Sequence, residues 1–175
     1  QKNKLHLIDK NSNPMLELVD QLLELSKIDS GKLQLLLKEG NISTFLNSIV
    51  EPFQFQAKEN HLVFHSKIEK VTENHHFDKD VIEKIVTNLL SNDLKYTPEN
   101  QTISFNFSIE NKQLQLVVSN SGSDIKKEDL PKLFERFYQK NETQKGVGIG
   151  LALVKELVDR KSTRRNWFGF GKRIG

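Results

Sequence analysis

Met15, Leu18, Leu22 and Leu25 recur at spacings of three and four, with Leu16, Val19 and Leu23 forming a second seam beside them. This spacing predicts a helix over about 5–29 that is apolar on more than one side and needs a partner helix, as in a two-helix hairpin or a dimeric bundle. Ser30-Gly31 supplies its stop. The pattern then shortens to a strand at about Leu33–Leu37, a turn at Gly40-Asn41, and a helix over about 43–58 carrying Phe45, Leu46, Ile49, Val50 and Phe53. Pro52 inside that helix predicts a kink or early break near Glu51. His61 to His65 reads as a strand, and Asp78 or Asp80 caps a helix with Val81, Ile82, Ile85, Val86, Leu89, Leu90 and Leu94 on its apolar face, ending at Thr97-Pro98. Ile103, Phe105, Phe107 and Ile109 alternate with polar residues, as do Leu114, Leu116 and Val118, giving a hairpin joined at Asn111-Lys112 with one buried face. A short helix at about Glu128–Phe137, a polar glycine-containing loop and a helix from Gly150 to Asp159 complete the pattern. Helices covering one face of a sheet give an α+β sandwich.

At 175 residues, with 36% hydrophobic and 28% charged content, the chain has room for one ordinary domain, or one domain and an appendage. No apolar run approaches the ~20 residues of a membrane-spanning helix, and no leader-like apolar segment follows the first residues. The absence of cysteine excludes disulfides, thiolate metal sites and a cysteine nucleophile, and fits a reducing compartment. The cytoplasm is the expected location, including the cytoplasmic part of a membrane-anchored sensor. The formal charge of +3 suggests nucleic acid only until it is located. Residues 160–175 hold Arg160, Lys161, Arg164, Arg165, Lys172 and Arg173 and no acid, which leaves residues 1–159 net acidic. The basic balance belongs to the tail, and no nucleic-acid partner is expected.

Candidate chemistry begins on the helix at 80–95. Asn88, Asn92 and Lys95 fall at i, i+4 and i+7, so two amides and an ammonium share one stripe. Amide oxygens are hard ligands suited to Mg²⁺, and Lys95 can neutralise phosphate charge; a merely solvated stripe is the competing reading. Gly146, Gly148 and Gly150 precede the last helix, where unobstructed backbone N–H groups meet the positive end of a helix dipole and suit phosphate. His6 reads as an exposed helix histidine, His61, His65, His75 and His76 fall in strand or loop, the pair His75-His76 lacks the i, i+4 spacing of a helical metal site, and neither a His-Glu-x-x-His nor a Gly-x-Ser-x-Gly motif occurs.

In order along the chain stand Asn88-Leu-Leu-Ser-Asn92-Asp-Leu-Lys-Tyr96-Thr-Pro, Asn120-Ser-Gly122, Leu133-Phe-Glu-Arg-Phe137-Tyr and Gly146-x-Gly-x-Gly-Leu-Ala-Leu-Val-Lys155. This set resembles the N-box, first glycine box, F-box and second glycine box of the ATP-binding domain of two-component sensor histidine kinases. Leu18 to Gly31 resembles the second helix of that family's dimerisation and phosphotransfer hairpin. The resemblance implies a Bergerat-type α/β sandwich at 32–159, one long hairpin helix at 1–31, and an atypical basic tail at 160–175 where the family has its last strands, so that a C-terminal strand is missing or altered. It implies ATP and Mg²⁺ as cofactors. Asn92 with Asn88 would hold Mg²⁺ and phosphates, Asn88 and Lys95 would serve the transfer, and Lys95 and Tyr96 would line the phosphate and ribose side. Asn120, Gly122, Ile125, Phe134 and Phe137 would border the nucleotide, and Gly146, Val147, Gly148, Ile149, Gly150 and Leu151 the lid and the helix behind it. The implied partners are a histidine-bearing hairpin helix, a response-regulator receiver domain and a second copy of the chain. The acceptor histidine belongs on the hairpin's first helix, which is not expected within these residues.

Three departures from the family pattern bear on function. Asn120 stands where the family usually has an aspartate that accepts a hydrogen bond from the exocyclic amine of adenine; the amide keeps an acceptor oxygen but is neutral. Asp124 replaces a second glycine, and Asp93 a small residue. The leading reading is the catalytic part of a histidine kinase that moves the ATP γ-phosphoryl to a histidine on a partner helix. The alternatives are a degenerate docking module and another ATPase sharing the sandwich, such as the gyrase type.

Overall fold

The computed structural model describes residues 16, 18–110, 113–122, 125–139 and 147–162. They form two compact units, the first drawn from residues 16, 18–34, 126–139 and 147–156 and the second from 35–110, 113–122, 125 and 157–162.

The second unit carries the sheets. Helix α2 (Ile42–Glu59) begins at Asn41, whose side chain accepts from the Thr44 N–H at 3.0 Å. Its first turn is tied to the segment after the neighbouring strand, because buried Ser43 donates to the Glu69 carbonyl at 2.7 Å and accepts from the Val71 N–H at 2.8 Å. Pro52 does not break this helix, contrary to the expectation from sequence. It sits with Ser48 and Glu51 on the exposed side, where water can satisfy the carbonyl that proline leaves without its N–H partner. The predicted strand at Leu33–Leu37 is displaced to β1 (Lys38–Gly40), which pairs antiparallel with β3 (His75–Phe77). The predicted strand at His61–His65 is β2 (Val63–Ile68), since His61 turns with φ 55°.

Strands β2, β4 (Thr102–Glu110) and β5 (Gln113–Asn120) make a three-stranded sheet in that order, β2 parallel and β5 antiparallel to β4. The alternation read from sequence is realised: Ile103, Phe105, Phe107, Leu114, Leu116 and Val118 are buried on one face. The residues joining the two strands, 111–112, lie outside the described residues. Helix α3 (Lys79–Tyr96) packs against α2 and β5 and buries Val81, Ile82, Ile85, Val86, Leu89 and Leu90. It ends where Thr97 turns extended ahead of Pro98, the conformation a following proline favours.

Asp78, only 4% exposed, starts α3 with both carboxylate oxygens engaged: Oδ1 accepts from the Val81 N–H at 3.1 Å and Oδ2 from the Leu36 N–H at 2.9 Å. It therefore caps a helix and anchors the chain entering β1. Asn at this position would turn an NH₂ group toward one of two N–H donors. We expect Asp78→Asn to cost about 1–3 kcal/mol in urea unfolding, and a loss within a few tenths of the parent value would show that the second bond contributes nothing.

The first unit contains helix α1 (residues 18–29); the predicted beginning of that helix lies outside the described residues. It ends as predicted at Gly31, with φ 70°. The Gly31 N–H bonds to the Ile28 carbonyl and the Lys32 N–H to the Lys27 carbonyl, each at 3.0 Å, which satisfies carbonyls the helix would otherwise leave unpaired. The short helix predicted at Glu128–Phe137 is a run of turns with one 3₁₀ turn, Lys132–Phe134. Three residues on, Phe137 adopts φ 66°, which is incompatible with continued helix. Helix α4 (Gly150–Ser162) begins where predicted.

Candidate functional site

In the second unit the predicted stripe lies on the C-terminal half of α3. Asn88 and Asn92 are half-buried one turn apart, and the Asn88 side-chain nitrogen donates to the Lys84 carbonyl at 2.7 Å. Lys95 is exposed; its ammonium donates to the Tyr96 hydroxyl at 3.0 Å and lies 4.7 Å from the centre of that ring. Asp93 is half-buried between them, and its carbonyl accepts the capping N–H of Thr97 at 3.0 Å.

The end of β5 meets the end of α3. Asn120 pairs in register with Ile103, so it continues the inward row of Leu114, Leu116 and Val118 as a polar residue at a position where the alternation supplies apolar ones. Its side-chain nitrogen donates to Thr97 Oγ1 at 2.9 Å. Beyond it the chain turns on Gly122 at φ 75°. Ser121 braces that turn: its hydroxyl accepts from the Thr102 N–H at 2.9 Å and donates to Gln101 Oε1 at 2.8 Å. Ile125 is exposed, and Asp124 lies outside the described residues. Asn88, Asn92, Lys95, Tyr96, Asn120 and Gly122 thus share one unit. Thr97, read from sequence only as a helix stop, joins them. Its contact is 23 residues away along the chain, and no local pattern signals it.

The remaining described candidates lie in the first unit. Phe134 sits half-buried in the 3₁₀ turn, while Phe137 is 61% exposed and donates its N–H to the Gly148 carbonyl at 3.0 Å. Gly148 itself has φ 73°. Val147 is exposed, Ile149 buried, and Gly150 and Leu151 half-buried at the start of α4; Gly146 lies outside the described residues. Sequence reasoning gives Arg136 no role. Its guanidinium makes a two-pronged pair with Asp29 at the end of α1, at 2.7 and 2.8 Å, and approaches Glu156 at 3.7 Å. Hydrogen bonding to Asp29 raises its pKa above the ordinary value. Tyr138 donates to Asp129 at 3.1 Å; desolvation and that bond raise its pKa.

Residues 77–172 match the family described as histidine kinase-, DNA gyrase B- and HSP90-like ATPase. The chain belongs to that family. It is 34% identical over 160 residues to sensor histidine kinase WalK of Bacillus subtilis, covering 88% of this chain and 26% of WalK. It is 31% identical over 163 residues to histidine kinase P4 of Formosa agariphila, covering 89% of this chain and 12% of that protein. The chain therefore spans about a quarter or less of these curated relatives. Among solved structures, full-length ShkA in complex with AMPPNP superposes with a TM-score of 0.74 over 93% of this chain and 34% of ShkA, at 19% identity. The α+β ATPase fold implied by the resemblance is thus the one found, and the chain is a histidine-kinase-type ATP-binding domain. No described helix is long and apolar enough to cross a membrane.

Proposed function

We propose that this chain binds ATP with Mg²⁺ and supplies the catalytic part of a two-component sensor histidine kinase, acting in the cytoplasm. The observation that carries the reading is the meeting of α3 and β5. The Asn120–Thr97 hydrogen bond sets a base-reading amide beside the helix end that bears Asn88, Asn92, Lys95 and Tyr96. The donor set fits the metal. Among the described residues no cluster of three or more His, Asp or Glu could cage an ion, and two half-buried carboxamides suit a Mg²⁺ that keeps waters and phosphate oxygens as its other ligands. Asn92 and Asn88 would hold that ion, which would supply charge neutralisation at the phosphates.

The chain's own residues mainly place and neutralise. Lys95 would offset phosphate charge and Tyr96 would line the ribose side. The glycines before α4 would offer backbone N–H groups to phosphate. In the transfer, the bond between the γ-phosphorus and its bridging oxygen breaks, ADP leaves, and a phosphorus–nitrogen bond forms to a histidine on a hairpin helix. That histidine is taken to lie outside this chain's own site, on a helix of the same kinase family. A receiver domain is the proposed next acceptor and a homodimer the proposed assembly. The regions 1–31, 32–159 and 160–175 would be hairpin helix, ATP-binding domain and atypical tail, with Ile125, Phe134, Phe137, Val147, Ile149 and Leu151 bordering nucleotide and lid.

Calorimetric titration with a non-hydrolysable ATP analogue, with and without Mg²⁺, tests this reading. Binding should depend on Mg²⁺, and Asn92→Ala should weaken it by about tenfold or more. A folded chain that binds no nucleotide would overturn the reading and favour a docking role.

A further inference from the structure

We infer that the outer edge of β5 is a docking surface for the β5 strand of a second copy of this chain, the two strands running antiparallel about a two-fold axis beside Leu116. In the second unit β5 is the last strand of its sheet, and among the described residues no strand lies on its far side. The register shows which backbone groups that leaves. The Val63 and Glu69 N–H groups donate to the Gln101 and Phe107 carbonyls, so the odd-numbered residues of β4 turn toward β2 and the even-numbered ones toward β5. The Ser121 N–H accordingly donates to the Thr102 carbonyl at 2.9 Å, in the register that sets Ile103 opposite Asn120. Hydrogen-bonded pairs alternate along an antiparallel ladder, so the N–H and C=O groups of Leu114, Leu116 and Val118 point away from β4, along the outer edge.

Such an edge is a template for another strand unless something blunts it. The opposite edge of the sheet is blunted, since β2 exposes His65 and Lys67. The β5 edge is not: Gln113 to Asn120 contains no charged residue, no proline and no glycine. Its occupant must match backbone donors and acceptors at every second residue. It must also present apolar side chains on the inner face, where Leu114, Leu116 and Val118 are buried. A second β5 meets both conditions. The two-fold axis sets Leu116 opposite its own counterpart and Leu114 opposite Val118, forms about six hydrogen bonds and keeps the face that packs on α3 on the same side in both copies. On the outer face Gln115 then meets Val117, with no like charges opposed. Residues 163–175 meet the conditions less well, because Gly169, Gly171 and the basic residues Arg164, Arg165, Lys172 and Arg173 limit any apolar alternation.

The chain has no native cysteine, so introduced thiols report the pairing directly. In this register residues 115 and 117 of opposite copies form a non-hydrogen-bonded pair, about 4.5 Å apart at Cα and within disulfide reach. Mixing the Gln115→Cys and Val117→Cys chains under mild oxidation should give cross-linked dimer at several-fold the yield of either variant alone, where the thiols lie on a diagonal. Charge supplies a second readout. Gln115→Lys with Val117→Lys opposes ammonium groups across the join and should raise the dimer dissociation constant in sedimentation equilibrium by about tenfold or more. Gln115→Lys with Val117→Glu opposes unlike charges and should restore it. Both double variants alter the same two half-buried positions, so a general loss of folding would affect them alike. A parent chain that sediments as a monomer at every concentration overturns the inference, whether water or residues 163–175 cover the edge. So does a dimer in which the cysteine mixture has no advantage and the two charge variants behave alike, the result expected if association runs only through exposed leucines of α1 such as Leu22 and Leu23.

Discussion

Phe105→Ala is expected to lower the stability of the sheet-bearing unit by about 3–5 kcal/mol, against a total of about 5–15 for an ordinary domain. Phe105 is fully buried at the centre of the middle strand, paired with Ser66 on one side and Val118 on the other. Two adjacent strands cannot slide inward to fill the space without breaking the ladder that holds their register, so the cavity persists and its cost adds to the lost transfer free energy. Phe55 is the matched control. It has the same side chain but lies 66% exposed on α2, and Phe55→Ala should change stability by no more than about 0.5 kcal/mol. Urea unfolding followed by far-ultraviolet circular dichroism reads both variants. Equal effects at the two positions would mean that the β4–β5 face does not pack as described.

The difference between these two phenylalanines is legible in the amino-acid pattern alone, because Phe105 lies in a strict period-two run and Phe55 falls off the apolar stripe of its helix. Long periodic segments fix their own burial, which is why α3 and the β4–β5 strands have nearly the bounds that their periodicity predicts. The short elements do not. β1 is three residues long and is selected by a backbone partner at His75–Phe77, while the leucines that draw the predicted strand upstream, Leu36 and Leu37, are exposed. No local pattern can report a partner more than thirty residues away. The turns at 127–137 escape prediction for a related reason: their shape depends on a left-handed Phe137 bonded to Gly148, and the intervening sequence gives no sign of that bond.

The candidate site divides in the same way. Asn88, Asn92 and Lys95 group together from helical spacing alone. Asn120 stands out because it interrupts an alternation that otherwise supplies leucine and valine. Thr97 and the second hydrogen bond of Asp78 leave no local trace, since each joins a helix end to a segment remote in sequence. The residues that hold chemistry carry local signatures, whereas the residues that orient them are specified by the tertiary fold. A site read from sequence is therefore more complete in its reacting groups than in its supports.

Gly148→Ala is the second large effect expected, and two other glycines supply its scale. Gly31, Gly122 and Gly148 have nearly the same left-handed φ, at 70°, 75° and 73°. Alanine in that conformation costs about 1–2 kcal/mol wherever it occurs. The surroundings then decide the rest. A Cβ on Gly31 would meet nothing within 4 Å, and one on Gly122 would come within 2.8 Å of the Gln101 side chain, which can swing aside at the expense of its bond to Ser121. A Cβ on Gly148 would lie 2.5 Å from the Tyr138 carbonyl oxygen and 2.9 Å from the Phe137 carbonyl carbon, both backbone atoms. The only relief is to push the 137–138 segment away. That movement breaks the Phe137 N–H bond to Gly148, which holds Phe137 in its own unfavourable left-handed conformation. Gly148→Ala should therefore cost about 2–5 kcal/mol in urea unfolding, with Gly122→Ala smaller and Gly31→Ala smallest. If Gly148→Ala costs no more than Gly31→Ala, the close approach is not part of the folded structure. If the order holds, the glycine ahead of α4 is required to let two backbone segments touch, independently of any phosphate it would also admit.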